Sequence, residues 1–87
     1  MILYHGLSIK PDEIKGQLLE GTWLAKYRFH AFRIAERRVT QLGGEAIVLE
    51  IDTNSYIRVE GRNNPTYLYG GDGYKLLAIH KMIRHSL

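Results

Sequence analysis

The sequence contains no cysteine. That excludes a disulfide framework and any thiolate zinc site, and it fits a reducing compartment. No apolar run is long enough to span a bilayer. The first residues lack the charged start and long apolar stretch of a secretory signal. The expectation is a soluble, cytoplasmic protein with no membrane partner. Repeats, low-complexity tracts and linker-like segments are also missing, so residues 1–87 read as one domain. A core of that size is marginal and leaves little room for both a deep pocket and a separate regulatory site. No glycine-rich loop precedes a helix, which excludes nucleotide binding of the P-loop or Rossmann type. His30, His80 and His85 share no metal-ligand spacing, and no metal site is expected.

What is present is an ordinary globular composition with an uneven charge. The net charge is +3. Residues 1–43 carry seven Lys/Arg against four acids, whereas residues 44–87 carry five of each. The excess sits between Lys26 and Arg38, where Lys26, Arg28, Arg33, Arg37 and Arg38 face only Glu36. Such a cluster suits phosphate or pyrophosphate, or forms a solvated helix face.

The hydrophobic pattern predicts a strand at Met1–His5, a short helix beginning at Pro11-Asp12-Glu13 and ended by Gly16, and a strand at Thr22–Ala25. The clearest element is a helix from about Tyr27 to Leu42. Phe32, Ala35, Val39 and Leu42 recur on one face, widened by Phe29, Ala31 and Ile34, and Gly43-Gly44 supplies the stop. Ala46–Asp52 alternates as a strand. Tyr56–Val59, Thr66–Tyr69 and Tyr74–Ile83 are further strands, with a loop at residues 61–65 and a glycine-rich turn at residues 70–73. The last segment has helical periodicity too, but its neighbouring glycines favour sheet. The sum is a small α+β domain, one main helix against a mostly antiparallel sheet.

Leu3-Tyr4-His5-Gly6 and Gly21-Thr22-Trp23-Leu24-Ala25 are the most informative segments. Gly6 lets a backbone approach a ligand closely. His5 is either a ligand-facing imidazole or a strand-end histidine bonded to a loop. Trp23 is either core or a stacking wall for a flat ring. Tyr67, Tyr69 and Tyr74 either stack a base or are plain strand residues. Asp72 reads as a turn residue.

In order, Tyr4-His5-Gly6, Gly21-Thr22-Trp23-Leu24-Ala25, Ala31-Phe32-Arg33-Ile34-Ala35 and Ala46–Asp52 resemble the motifs of the ADP-ribosyltransferase superfamily. The chain is shorter than most members and resembles a minimal, divergent version of their split, nicotinamide-binding sheet. The resemblance implies NAD as cofactor. It implies that His5 bonds the nicotinamide ribose, that the Gly6 backbone holds the carboxamide, and that Thr22 and Trp23 line the ring. Phosphates are expected at Arg28 or Arg33. Ile34 falls where a second aromatic ring belongs. The family's late glutamate has no counterpart among Asn63, Asn64, Pro65 and Thr66. That carboxylate stabilises an oxocarbenium-like transition state, and losing one electrostatic stabiliser typically costs a few kcal/mol of barrier. Glu60 is the nearest candidate to replace it, with Asp72 in reserve. A related branch, the RNA 2′-phosphotransferases, lacks the glutamate and sets His and Arg against phosphates.

Three functions follow as expectations. The first is an ADP-ribosyltransferase-like enzyme with His5 and Glu60 as catalytic residues, acting on a macromolecular acceptor. The second is a binding module or inhibitor on the same fold, of a kind a phage could encode, acting on a host protein or nucleic acid. The third is a nucleic-acid binder using Arg33, Arg37, Arg38 and the tyrosines.

Overall fold

The computed structural model describes residues 1–9 and 18–81. Within them the chain forms β1 (Ile2–Ile9), β2 (Trp23–Ala25), α1 (Arg28–Leu42), β3 (Glu45–Asp52), β4 (Tyr56–Val59), β5 (Thr66–Tyr69) and β6 (Lys75–Lys81). This is an α+β domain: one six-stranded sheet in the order β4-β5-β2-β1-β3-β6, every neighbouring pair antiparallel, with one helix among the described residues. The helix expected at Pro11–Gly16 lies outside the described residues, as do Met82, Ile83 and His85.

β1 differs from expectation. It runs on to Ile9 rather than ending at His5. Gly6 does not break it, because the glycine serves a close approach rather than a turn. A Cβ at Gly6 would overlap the carbonyl oxygen of Ala31 and sit 2.9 Å from that carbonyl carbon and 3.0 Å from the Ala35 nitrogen. α1 therefore lies with its backbone almost on the sheet. The small side chains Ala31 and Ala35, fully buried, make the matching notch on the helix.

Strand alternation splits the core in two. On the helix side, Ala25, Ala31 and Val48 are buried, with Tyr4 and Phe32 packed beside them. On the other side, Leu3, Leu24, Ile51, Tyr67 and Tyr69 form the larger cluster, bordered by Leu18, Leu49, Tyr56 and Tyr74. Tyr67 and Tyr69 are core residues, and Tyr56 and Tyr74 pack against them partly buried. Tyr56 meets Tyr67 edge-on at 5.3 Å, and Tyr69 meets Tyr74 at 5.5 Å. Two of their hydroxyls accept backbone bonds: that of Tyr69 from the Gly73 N–H and that of Tyr74 from the Leu18 N–H.

α1 begins at Tyr27 without a side-chain cap and has no acid in its first turn. Packing, not capping, holds it. It ends at Gly43, where the glycines predicted a stop; its φ of 77° is positive but its ψ of −165° is not the left-handed helical cap expected, and its N–H bonds Val39 O at 2.8 Å. At the sheet's outer edge, β6 carries Leu76, Leu77 and Ile79 exposed between Lys75 and Lys81.

Candidate nucleotide cleft

The sheet is not equally joined throughout. β1 pairs with β3 at eight positions, from Ile2↔Asp52 to Ile9↔Glu45. It pairs with β2 at one, Tyr4↔Ala25. Beyond that pair the strands separate, so the sheet consists of two three-stranded halves, β4-β5-β2 and β1-β3-β6, touching at a single rung. Thr22 stays tied to β5 through its carbonyl, which accepts the Tyr69 N–H, while its own N–H and hydroxyl both bond Leu19 O in a turn.

His5 sits at the parting. Its Nδ1 lies 3.0 Å from the Trp23 carbonyl oxygen. A carbonyl can only accept, so Nδ1 carries the proton and the neutral ring keeps a lone pair on Nε2. A cavity of 230 Å³ opens here, lined by His5, Leu7, Ser8, Thr22, Trp23, Arg38 and Leu42. Ser8 Oγ donates to Gly43 O, tying β1 to the end of α1.

On the other side of Trp23 lies a larger groove of 480 Å³ between α1 and the β4–β5 loop. His30, Ile34, Arg37 and Arg38 form its helix wall, and Gly61, Arg62, Asn63 and Asn64 its loop wall. Trp23 and Arg38 belong to both cavities. Trp23 is 41% exposed, and the Arg62 guanidinium lies 5.1 Å over its ring. Among the described residues, no carboxylate lines either cavity. The arrangement offers three guanidinium groups, two side-chain amides, an aromatic face and two imidazoles. It can grip an anion and stack a planar group.

The residues singled out from sequence fall into three groups. His5, Thr22 and Trp23 come together at the parting. Gly6 is in β1 beside them, but its bare Cα faces α1. Arg28 and Arg33 line neither cavity; Arg33 lies 5.8 Å over the Phe29 ring instead. Glu60 is 84% exposed, its Oε1 3.8 Å from Arg58 Nε, on the turn just before Gly61. Asp72 lines a separate cavity with Asp52, Thr53, Asn54, Ser55 and Gly73, where its N–H donates to Ser55 Oγ. Arg62, Asn63 and Asn64 were legible only as a loop. Their proximity to Trp23 follows from β2–β5 pairing, Trp23↔Leu68 to Ala25↔Thr66.

Both cleft histidines are held below the ordinary histidine range. For His5 burial is the main cause, opposed by the Trp23 carbonyl and assisted by the Arg38 charge. For His30 desolvation acts with Arg33 and Arg37, and its buried Nδ1 has no partner among the described residues. A lowered value means the fold prefers neutral imidazole. Protonation therefore favours the unfolded chain. The stability this preference confers is fully present above 6.5 and is lost as pH falls through the lowered folded value. The urea midpoint is expected to drop on acidification, and His5→Asn, which keeps a donor for Trp23 O, is expected to flatten that drop. An equal drop in wild type and His5→Asn would assign the effect elsewhere.

No protein-family model, curated protein or solved structure matches the chain. No helix among the described residues is long and apolar enough to cross a membrane.

Proposed function

We propose that the chain is an ADP-ribosyltransferase-like protein that binds NAD or a related nucleotide at the parting of β1 and β2 and moves ADP-ribose to a macromolecular acceptor. The observation that carries this reading is the single-rung junction with His5 at its mouth, opening into an arginine-lined groove. A sheet split at this point, next to the His-Gly strand, is what the resemblance in sequence implies.

The residues present fit the nucleotide in part. His5 Nε2 is an acceptor for a ribose hydroxyl. Trp23 is a stacking face if Arg62 swings aside or covers the far side of the bound ring. Arg37, Arg38 and Arg62 suit a pyrophosphate better than Arg28 and Arg33 do. Ile34 lines the same groove as Trp23, so one wall is aliphatic rather than aromatic. NAD would supply the glycosidic bond to be broken; the chain's part is to orient the ribose and hold the phosphates.

One observation favours a second reading. Among the described residues no carboxylate lines either cavity, so the developing positive charge at the anomeric carbon has no counter-charge there beyond what Glu60 can bring by moving. On that reading the domain is a binding module that holds a nucleotide, or blocks a partner, without transfer.

Trp23 is the only tryptophan, so its fluorescence reports on the cleft directly. Titration with NAD is expected to change it, and Arg38→Gln is expected to weaken binding about tenfold, the scale of one charge-assisted hydrogen bond. No change at millimolar NAD, in a folded sample, would count against a nicotinamide site. Labelled NAD with a cell extract separates the two readings. Transfer that drops about 100-fold in Glu60→Gln supports the enzyme with Glu60 as its acid; saturable binding without transfer supports the module.

A further inference from the structure

The nucleotide cleft leaves the outer face of α1 unused, and that face has its own organisation. Tyr27 and Phe29 stack with centroids 5.5 Å apart and planes 13° from parallel. Both rings are exposed, Phe29 by 53%. The Arg33 guanidinium lies over Phe29 at 5.8 Å. Arg37, four residues further on, faces the groove in which Arg62 covers Trp23. Phe29, Arg33 and Arg37 follow at four-residue steps and so share one side of the helix. Eight residues of helix span about 12 Å, longer than one phosphate group. Glu36 is the only acid on α1.

An exposed stacked pair keeps apolar rings in water, which no packing requirement of this fold explains. The Arg33 guanidinium sets a positive charge beside the Phe29 π-face. Rings with such cations beside them offer two things at once: π-faces for unpaired bases and donors for their phosphates. A duplex hides its base faces, and an acidic peptide has no use for stacked rings. We infer that the stripe from Tyr27 and Phe29 through Arg33 and Arg37 to Arg62 and Trp23 binds single-stranded nucleic acid. Bases lie on the rings and phosphates on the guanidinium groups. The stripe shares Arg37, Arg62 and Trp23 with the cleft, whereas Tyr27, Phe29 and Arg33 line neither cavity, so Phe29 is where this inference is tested apart from the NAD reading.

The test uses the whole chain and a short fluorescein-labelled oligouridylate, followed by anisotropy. Binding is expected at low salt, with log affinity falling linearly in log salt at a slope of about −2, for three phosphates neutralised. Replacing Arg33 and Arg37 together by Gln is expected to shallow that slope by about 1.4. Phe29→Ala is expected to weaken binding about fivefold or more, Phe29→Leu equally, and Phe29→Trp not at all, since only a ring stacks a base. The NAD response of Trp23 is expected to be the same in Phe29→Ala as in wild type, so the two proposals fail separately. The inference is overturned if the folded chain gives no anisotropy change at low salt, if a duplex binds as tightly as the single strand, or if Phe29→Ala and Phe29→Trp bind alike.

Discussion

Gly6→Ala is expected to remove more than half of the chain's stability against urea. The added methyl meets helix backbone, not a side-chain end that could turn away: Ala31 carbonyl and Ala35 nitrogen stand where it must go. Relief needs α1 to lift off β1 and β3, and lifting exposes Ala31, Ala35 and Val48 together. Overpacking of a tight core costs about 1–3 kcal/mol and sometimes more. A clash with rigid backbone belongs at the upper end of that range. Small domains have a total stability near the lower limit of about 5 kcal/mol, so one methyl consumes most of it. Urea unfolding followed by circular dichroism measures the effect. Gly61→Ala is the matched control. Nothing lies within 4 Å of its Cβ position, and only its φ of 80° resists the change, for a cost of about 1–2 kcal/mol. A Gly6→Ala midpoint equal to that of Gly61→Ala would refute the close-approach account.

Leu24→Ala is the second large effect, and it acts on the joint between the two halves of the sheet. Leu24 is 1% exposed and lies in the cluster with Leu3, Ile51, Tyr67 and Tyr69. Leu3 and Ile51 belong to one half; Tyr67 and Tyr69 belong to the other. With one backbone rung between the halves, this cluster is the principal bond across the seam. Truncating a buried leucine costs about 3–5 kcal/mol. The loss should not be spread evenly. Hydrogen exchange is expected to quicken in β4 and β5 more than in β1 and β3, which retain their eight-residue ladder. The Trp23 response to NAD should vanish with it, since His5 and Trp23 stand on opposite sides of the seam. Uniform acceleration across all strands would mean that the halves unfold as one unit and that the seam is no weaker than the rest.

Several elements were legible because local chemistry and tertiary need agreed. Tyr56–Val59 and Thr66–Tyr69 alternate between turn-rich segments, and both strands have those limits. α1 was readable from its apolar spacing and from Gly43. β1 was cut short because a glycine in a strand has two explanations, a turn or a close neighbour, and only the packed helix distinguishes them. The site was harder. His5, Thr22 and Trp23 are local to two strands and could be paired from order alone. Arg62 reaches Trp23 only because β5 sits next to β2 rather than next to β6. No spacing along the chain encodes that order. Arg33 is equal to Arg37 and Arg38 by composition, yet it lies one turn nearer the start of α1 and over Phe29, while the other two line the groove.

β6 gives the fold an exposure to self-association that its charges hold in check. An edge strand with Leu76, Leu77 and Ile79 bared is a ready template for another chain. Lys75 and Lys81 close the strand at both ends. In an antiparallel pairing of two copies centred on Ala78, each Lys75 would lie opposite the other copy's Lys81. Like charges facing across strands oppose that register. The two lysines thus act as gatekeepers of colloidal behaviour: acetylation, high salt or a change to neutral residues would weaken their repulsion and bring the domain nearer to precipitation without altering its fold.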